Sequence, residues 1–439
     1  MASHTPHAHA LATVVRALFT LLPMRYVRRR LNGPLQSLLV HLASIHTGVN
    51  RCGVRSVRLL VLDRLATSMG WDRVQPSTSA ICRSLRKLTV SMLEPVIERA
   101  LVEVAKAFGD RAFVHGQRLV AIDGVRINSE RTPTLARWLG RPKLGPDKRA
   151  HQPQALVVSA ICVMTRVQLA QEILRCDGSE RAGARRLVSR LQAMGPMIVL
   201  LDRGYPARDL IGLLLDRKIS FVVRLTGGQH AWREISGLTR RPKADERLDI
   251  RVRGENGRFR EARLRIVVTP RASAGRPRCN RTPQQMILLT DLATWKTGGI
   301  IALYHRRWDI ETVFRENKRL LGATHFRSRT AAAFEVELLA YAIYRLLMAL
   351  ALAAAAAEAP RQLWSNPRAK RHSTPQGIAI AWSLLVIALE PGREPLARLA
   401  VLLREIQRDC AKRRPGRIFK RACKGAEGRW KQRDESWQD

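Results

Sequence analysis

Between Arg118 and Leu225 short β-branched runs alternate with helical stretches, and this alternation limits the possible folds more than any other feature of the chain. Runs at 119–122, 155–163 and 167–173 are followed by a helical stretch near 180–194, a run at 197–201, a second helical stretch at 207–216 and a run at 219–225. Three strands, helix, strand, helix, strand is an α/β order, and its first three strands are close enough to form a meander. Residues 226–290 break the alternation. They contain Gly227-Gly228, an Asn256-Gly257 turn and alternating segments such as LDIRVRG and ARLRIVVT, which predict an inserted antiparallel β subdomain.

The flanks read as helical. In residues 1–110 the stretch 54–69 has apolar residues at helical spacing, with Gly70 as its stop. Pro76-Ser77-Thr78-Ser79 then caps a short basic helix carrying Arg83, Arg86 and Lys87. Helix, turn and capped basic helix fit a helix-turn-helix DNA reader; they equally fit two helices of a bundle with a solvated basic face. The predicted organisation is a helical N-terminal DNA-binding region at 1–110, an α/β core at 111–225 and 291–330 interrupted by the β insertion at 226–290, and a helical C-terminal region at 331–439 ending in a basic arm. In that arm, residues 404–433 hold 12 basic and 3 acidic side chains.

Charge narrows the partners. With 77 Lys and Arg against 36 Asp and Glu the formal net charge is +41, while an apolar content of 46% is ordinary for a folded core. Self-repulsion at that charge destabilises a compact chain unless a polyanion neutralises it, and nucleic acid is the expected partner. The seven cysteines are scattered with no short-spaced pair, which fits free thiols in a reducing compartment. The apolar run at 11–23 is interrupted by Arg16 and followed, rather than preceded, by basic residues, so it does not read as a secretory signal. The uncharged run at 346–357 is shorter than the ~20 residues that span a bilayer. A soluble, cytoplasmic protein is expected.

Two carboxylates stand where β runs end: Asp123 after LVAI and Asp202 after IVLL. Such positions open onto the crevice where α/β sheets bind ligands, although a lone Asp there also serves as a cap or turn residue. Both together, on the first and fourth strands, match the layout of a ribonuclease-H-like core. That layout needs a third carboxylate on a later helix, and Asp309, Glu311 and Glu316 are available. At ~100° per residue, Tyr304, Arg307, Glu311 and Lys318 fall within an arc of about 60°. Leu303, Ile310, Phe314 and Leu321 form the adjoining apolar stripe, which leaves Asp309 and Glu316 on the far side, towards solvent. Glu311 is therefore the candidate.

The segment YHRRWDIETVFRENK, with Tyr304, Arg307, Glu311 and Lys318 at that spacing, resembles the signature of DDE transposases of bacterial insertion sequences, in the Tyr-Arg-Glu-Lys (insertion-sequence-four-like) branch. LLTDL before it, DRGY at Asp202 and the β insertion extend the resemblance over residues 123–329. One departure is Val125, where the family more often has a small hydroxyl residue. The resemblance implies a transposase that binds double-stranded DNA at the terminal inverted repeats of an insertion sequence, cleaves it at the ends and joins the 3′-hydroxyls to target DNA. Asp123, Asp202 and Glu311 would hold two Mg2+ or Mn2+ ions. It further implies that Tyr304, Arg307 and Lys318 contact end phosphates, that Trp308 or Trp295 stacks on a flipped base if a hairpin forms, and that a homodimer pairs two ends. A transposition-inactive DNA binder and a ribonuclease-H-fold repair or recombination nuclease are the alternatives.

Overall fold

The computed structural model describes residues 6–22, 33–46, 76–146, 148–227, 231–238, 241, 243–270, 285–357, 374–389 and 394–408. The expected helix at 54–69 and the basic arm beyond Arg408 lie outside the described residues. Among the described residues four helices come first: α1 (Pro6–Thr20), α2 (Pro34–His46), α3 (Thr78–Leu85) and α4 (Val90–Phe108). Then follow β1 (Phe113–Val114), β2 (Gln117–Ser129), α5 (Pro133–Leu139), β3 (Gln154–Cys162), β4 (Val167–Arg175), α6 (Glu180–Leu191), β5 (Met197–Leu201), α7 (Arg208–Asp216) and β6 (Ser220–Leu225). The chain continues through β7 (Ala244–Arg253), β8 (Phe259–Pro270), β9 (Gln285–Thr290), α8 (Thr297–His305), α9 (Trp308–Arg319) and β10 (His325–Phe326). It closes with α10 (Ala331–Ala357), α11 (Thr374–Leu389) and α12 (Glu394–Arg408).

The ten strands of the described residues join one sheet, whose main path runs β4-β3-β2-β5-β6-β9-β8-β7. The β2-β3-β4 meander is antiparallel, while β5 and β6 add in parallel through the crossover helices α6 and α7. This is the α/β, ribonuclease-H-like order expected from the sequence. The inserted strands are antiparallel too, but they do not form a separate sheet. β9 pairs with β6 from Val222↔Thr290 to Leu225↔Ile287, so the insertion extends the core sheet. A second joint lies on the sheet's face, where α7 packs against β7. A Cβ on Gly212 of α7 would stand 2.0 Å from the Arg253 carbonyl oxygen, so only glycine allows this approach.

Strand period then divides the core in two. Val120, Ile122, Val199 and Leu201 point to one face, under α6, α7 and the helical layer. Leu119, Ala121, Ile198 and Leu200 point to the other, where Ile300 and Leu303 of α8 and Ile310 and Val313 of α9 cover them. The N-terminal and C-terminal helices, separate in sequence, share a single core around α10, against which α1, α2, α4, α11 and α12 all pack. Residues 331–355 of α10 are long and apolar enough to cross a membrane by length and composition, and 83% of their most apolar window is buried within the protein. That stretch is longer than the uncharged run at 346–357 because Glu335, Glu337 and Arg345 fall within the helix; Glu337 and Arg345 are buried.

The basic helix near Ser77 is present but short. The Ser77 hydroxyl accepts from Ala80 N at 3.2 Å, and Ser84 and Ile81 face inward, with the Ser37 hydroxyl of α2 donating to Ser84 at 3.2 Å. Arg83 is exposed on the helix; Arg86 and Lys87, also exposed, lie just past its end.

Because a backbone carbonyl cannot move aside as a side chain can, Gly212→Ala is expected to lower stability by about 1–3 kcal/mol. Thermal denaturation reads this against Gly298→Ala, which meets nothing within 4 Å on the exposed first turn of α8 and should be neutral or slightly stabilising.

Candidate active site

Register brings the two aspartates together. β2 and β5 pair in parallel up to Ile122↔Leu201, and each chain's next residue is an aspartate. By strand period Asp123 follows Leu119 and Ala121, and Asp202 follows Ile198 and Leu200, so both carboxylates face the α8–α9 side. β2 does not end at Asp123, as the sequence suggested; it continues to Ser129, paired with β3 through Asp123↔Ser159. What ends there is its parallel neighbour, and that opens the crevice.

α8 and α9 are two helices rather than one. The chain turns at Arg306 and Arg307, and Arg307 becomes the residue that precedes α9. Its guanidinium is 4% exposed and stands among three carboxylates. Nη2 donates to Glu311 Oε1 at 2.7 Å and lies 3.8 Å from Asp202 Oδ2, while Nη1 lies 3.8 Å from Asp123 Oδ2. Burial works against its charge, but Asp202 and Glu311 more than offset this and hold the guanidinium above its ordinary value. Its Nε and Nη1 have no hydrogen-bond partner. Tyr304, also buried, donates its hydroxyl to Asp202 Oδ1 at 3.1 Å. Backbone amides complete both aspartates, Gly124 N to Asp123 Oδ1 at 2.9 Å and Arg203 N to Asp202 Oδ1 at 2.7 Å.

Asp123, Asp202, Glu311, Tyr304 and Arg307 thus form one constellation. Tyr304 and Arg307 face the carboxylates. Lys318 does reach the open side, lining a groove with Asp123, Gly124, Glu180, Glu311 and Arg315. Trp308 is 45% exposed, with the Arg307 guanidinium 5.8 Å from its ring centroid. Trp295 is half-buried and meets His115 edge-on at 4.8 Å, a packing role. Asp291 of LLTDL accepts from Phe221 N at 2.8 Å and ties β9 to β6. Arg83, Arg86 and Lys87 belong to the helical layer, outside this constellation.

The donor chemistry fits a hard divalent ion, since the cluster offers carboxylate oxygens and no thiolate or imidazole. Among the described residues, however, no three of His, Cys, Asp and Glu are gathered closely enough to hold an ion as they stand. The Arg307 cation lies at their centre and marks where positive charge is required.

A family model described as "Transposase DDE domain" matches residues 114–347, more than half of the chain. The chain belongs to that family. The matched DDE domain runs from β1 into α10 and contains every residue of the constellation. Among solved structures, one described as a cryo-EM structure of a piggyBac transposase synaptic complex with hairpin DNA is similar at 11% identity and a TM-score of 0.45. That similarity covers 93% of this chain and 84% of the other. No curated protein matches significantly.

Glu316 corrects the helical-wheel reading. It points away from the groove but not into solvent. Arg345 of α10 donates to it at 2.8 Å, and Arg166, in the β3–β4 turn, stands 3.5 Å from it and 3.1 Å from Asp309. Arg166 adopts a left-handed φ of 57° that these contacts help to hold. Arg345 is 5% exposed, and burial pulls it down to about 10.

Two outcomes are expected. Glu316→Gln leaves the buried Arg345 without a counter-charge and should cost about 3 kcal/mol, whereas Asp309→Asn, facing a partly exposed arginine, should cost less than about 1 kcal/mol. Denaturant unfolding compares them. Burial, only partly offset by the Gly124 amide and Arg307, raises Asp123 from 3.8 to about 6. A raised acid binds its proton more tightly in the folded chain, so the penalty of the charged form is complete above about pH 6 and fades towards pH 4. In chelator-containing buffer Asp123→Asn should therefore melt higher than wild type at pH 7.5, by up to about 2–3 kcal/mol, and the gain should vanish near pH 4.

Proposed function

We propose that this chain is the transposase of an insertion sequence. It binds the terminal inverted repeats as a homodimer in the cytoplasm, cleaves the DNA at the ends and joins the freed 3′-hydroxyls to target DNA. The observation that carries this reading is the convergence of Asp123, Asp202 and Glu311 on Arg307 within a DDE domain.

Asp123, Asp202 and Glu311 are the side chains that would hold two Mg2+ or Mn2+ ions, which when bound supply activation of the attacking oxygen and stabilisation of the leaving one. The chain's own residues perform the rest. Tyr304 fixes the Asp202 carboxylate through its hydrogen bond, and Arg307 draws Glu311 towards the two strands. Lys318, Arg315 and Arg319 line the groove and would follow the backbone of the end. Trp308, exposed beside Arg307, is the ring available to a displaced base, while half-buried Trp295 is occupied by packing.

Duplexes carrying the DNA that flanks the reading frame, incubated with supercoiled plasmid in Mg2+ or Mn2+, test the reading. Wild type should both cleave the end and join it. Asp123→Asn, Asp202→Asn and Glu311→Gln should fall to background in both steps while retaining gel-shift binding. Cleavage without joining would identify a nuclease, and binding without either step a DNA-binding remnant.

A further inference from the structure

In a chain with 77 basic and 36 acidic side chains, carboxylates around the sheet seldom lack an arginine. Glu172, Asp209, Glu234, Asp245 and Asp249 each hold one. Glu180 differs. It is the first residue of α6 and lines the same groove as Asp123 and Glu311, yet among the described residues no ion pair reaches it. The neighbouring Arg181 turns away and donates to the Gly204 carbonyl at 2.7 Å.

Two further observations show that this position is built. A Cβ on Gly124 would stand 2.6 Å from Glu180 Oε1, so the glycine following Asp123 is what admits the Glu180 carboxyl to the strand. Tyr205, the tyrosine of DRGY, is 1% exposed, and its hydroxyl is directed at the Glu180 carboxyl. Asp123 and Glu180 thus line one groove on either side of Gly124, Glu180 with no ion-pair partner among the described residues, and offer the hard oxygen donors that a divalent cation prefers.

We propose that Glu180 is a fourth carboxylate ligand of the site, sharing a divalent cation with Asp123 across Gly124. The proposal rests on the reading above that Asp123 holds such an ion. It adds a residue on α6, an element that contributes no member of the Asp123–Asp202–Glu311 set.

Mn2+ titrated into the full-length protein, with free Mn2+ followed by its electron paramagnetic resonance signal, tests the assignment without relying on activity. Circular dichroism establishes that each variant is folded. Glu180→Gln should weaken binding of at least one Mn2+ by tenfold or more, and Glu180→Asp by a smaller factor. Asp177→Asn, at a largely exposed position paired with Arg175, should match wild type. Glu180→Asp carries the comparison if the glutamine variant does not fold. Wild-type titration curves for both Glu180 variants, alongside weakened binding in Asp123→Asn, would overturn the Glu180 assignment and leave the three-carboxylate reading intact. Unchanged binding in Asp123→Asn as well would overturn both.

Discussion

The arrangement depends on one buried guanidinium. Arg307 has three carboxylates within 4 Å and is itself shut away from water, so its charge and theirs offset one another. Three acids brought this close repel one another, and an arginine this buried would be costly without anions. Their mutual neutralisation fixes β2, β5 and the start of α9 relative to one another. Because α9 begins immediately after Arg307, the contact also sets the phase of the helix and therefore where Glu311 points.

A second set of charges works from behind. Arg166 and Arg345 grip Asp309 and Glu316 on the face of α9 opposite the groove, tying the helix to the β3–β4 turn and to α10. α9 is thus held on two sides by ion pairs, with Ile310 and Val313 packed into the sheet between them. The long helix α10 links this clamp to the helical layer, so a change in that layer has a mechanical route to the carboxylates without touching them.

Much of this was legible in the sequence, for local reasons. Short, wholly apolar runs leading into Asp123 and Asp202 mark buried strands, and the parallel register of β2 with β5 places the two acids side by side. The 304–318 signature marks Glu311 because its spacing is helical. The remainder was hidden because it depends on residues far apart in the chain. A wheel drawn through 303–321 assumes one helix, whereas the turn at Arg306–Arg307 resets the phase and aims Arg307 inward. On the wheel Glu316 faces solvent; the fold brings Arg345 and Arg166 to it from positions 29 and 150 residues away. Glu180 gave no signal, since an acid in the first turn of a capped helix is ordinary. The insertion was recognisable as antiparallel β, but no local pattern tells β9 that its partner is β6.

That last pairing bears on how such a chain can be shortened. Without residues 226–290, β6 would become the rim of the sheet, and the amides and carbonyls it now shares with β9 would lie open to any neighbouring strand. The present rim is β7, whose burial alternates along its length and whose outward positions carry Asp245, Arg247, Asp249, Arg251 and Arg253. Charges of both signs along a margin discourage a second molecule from zipping onto it. The inserted hairpin therefore also guards against aggregation, and trimming it would exchange a protected border for an adhesive one.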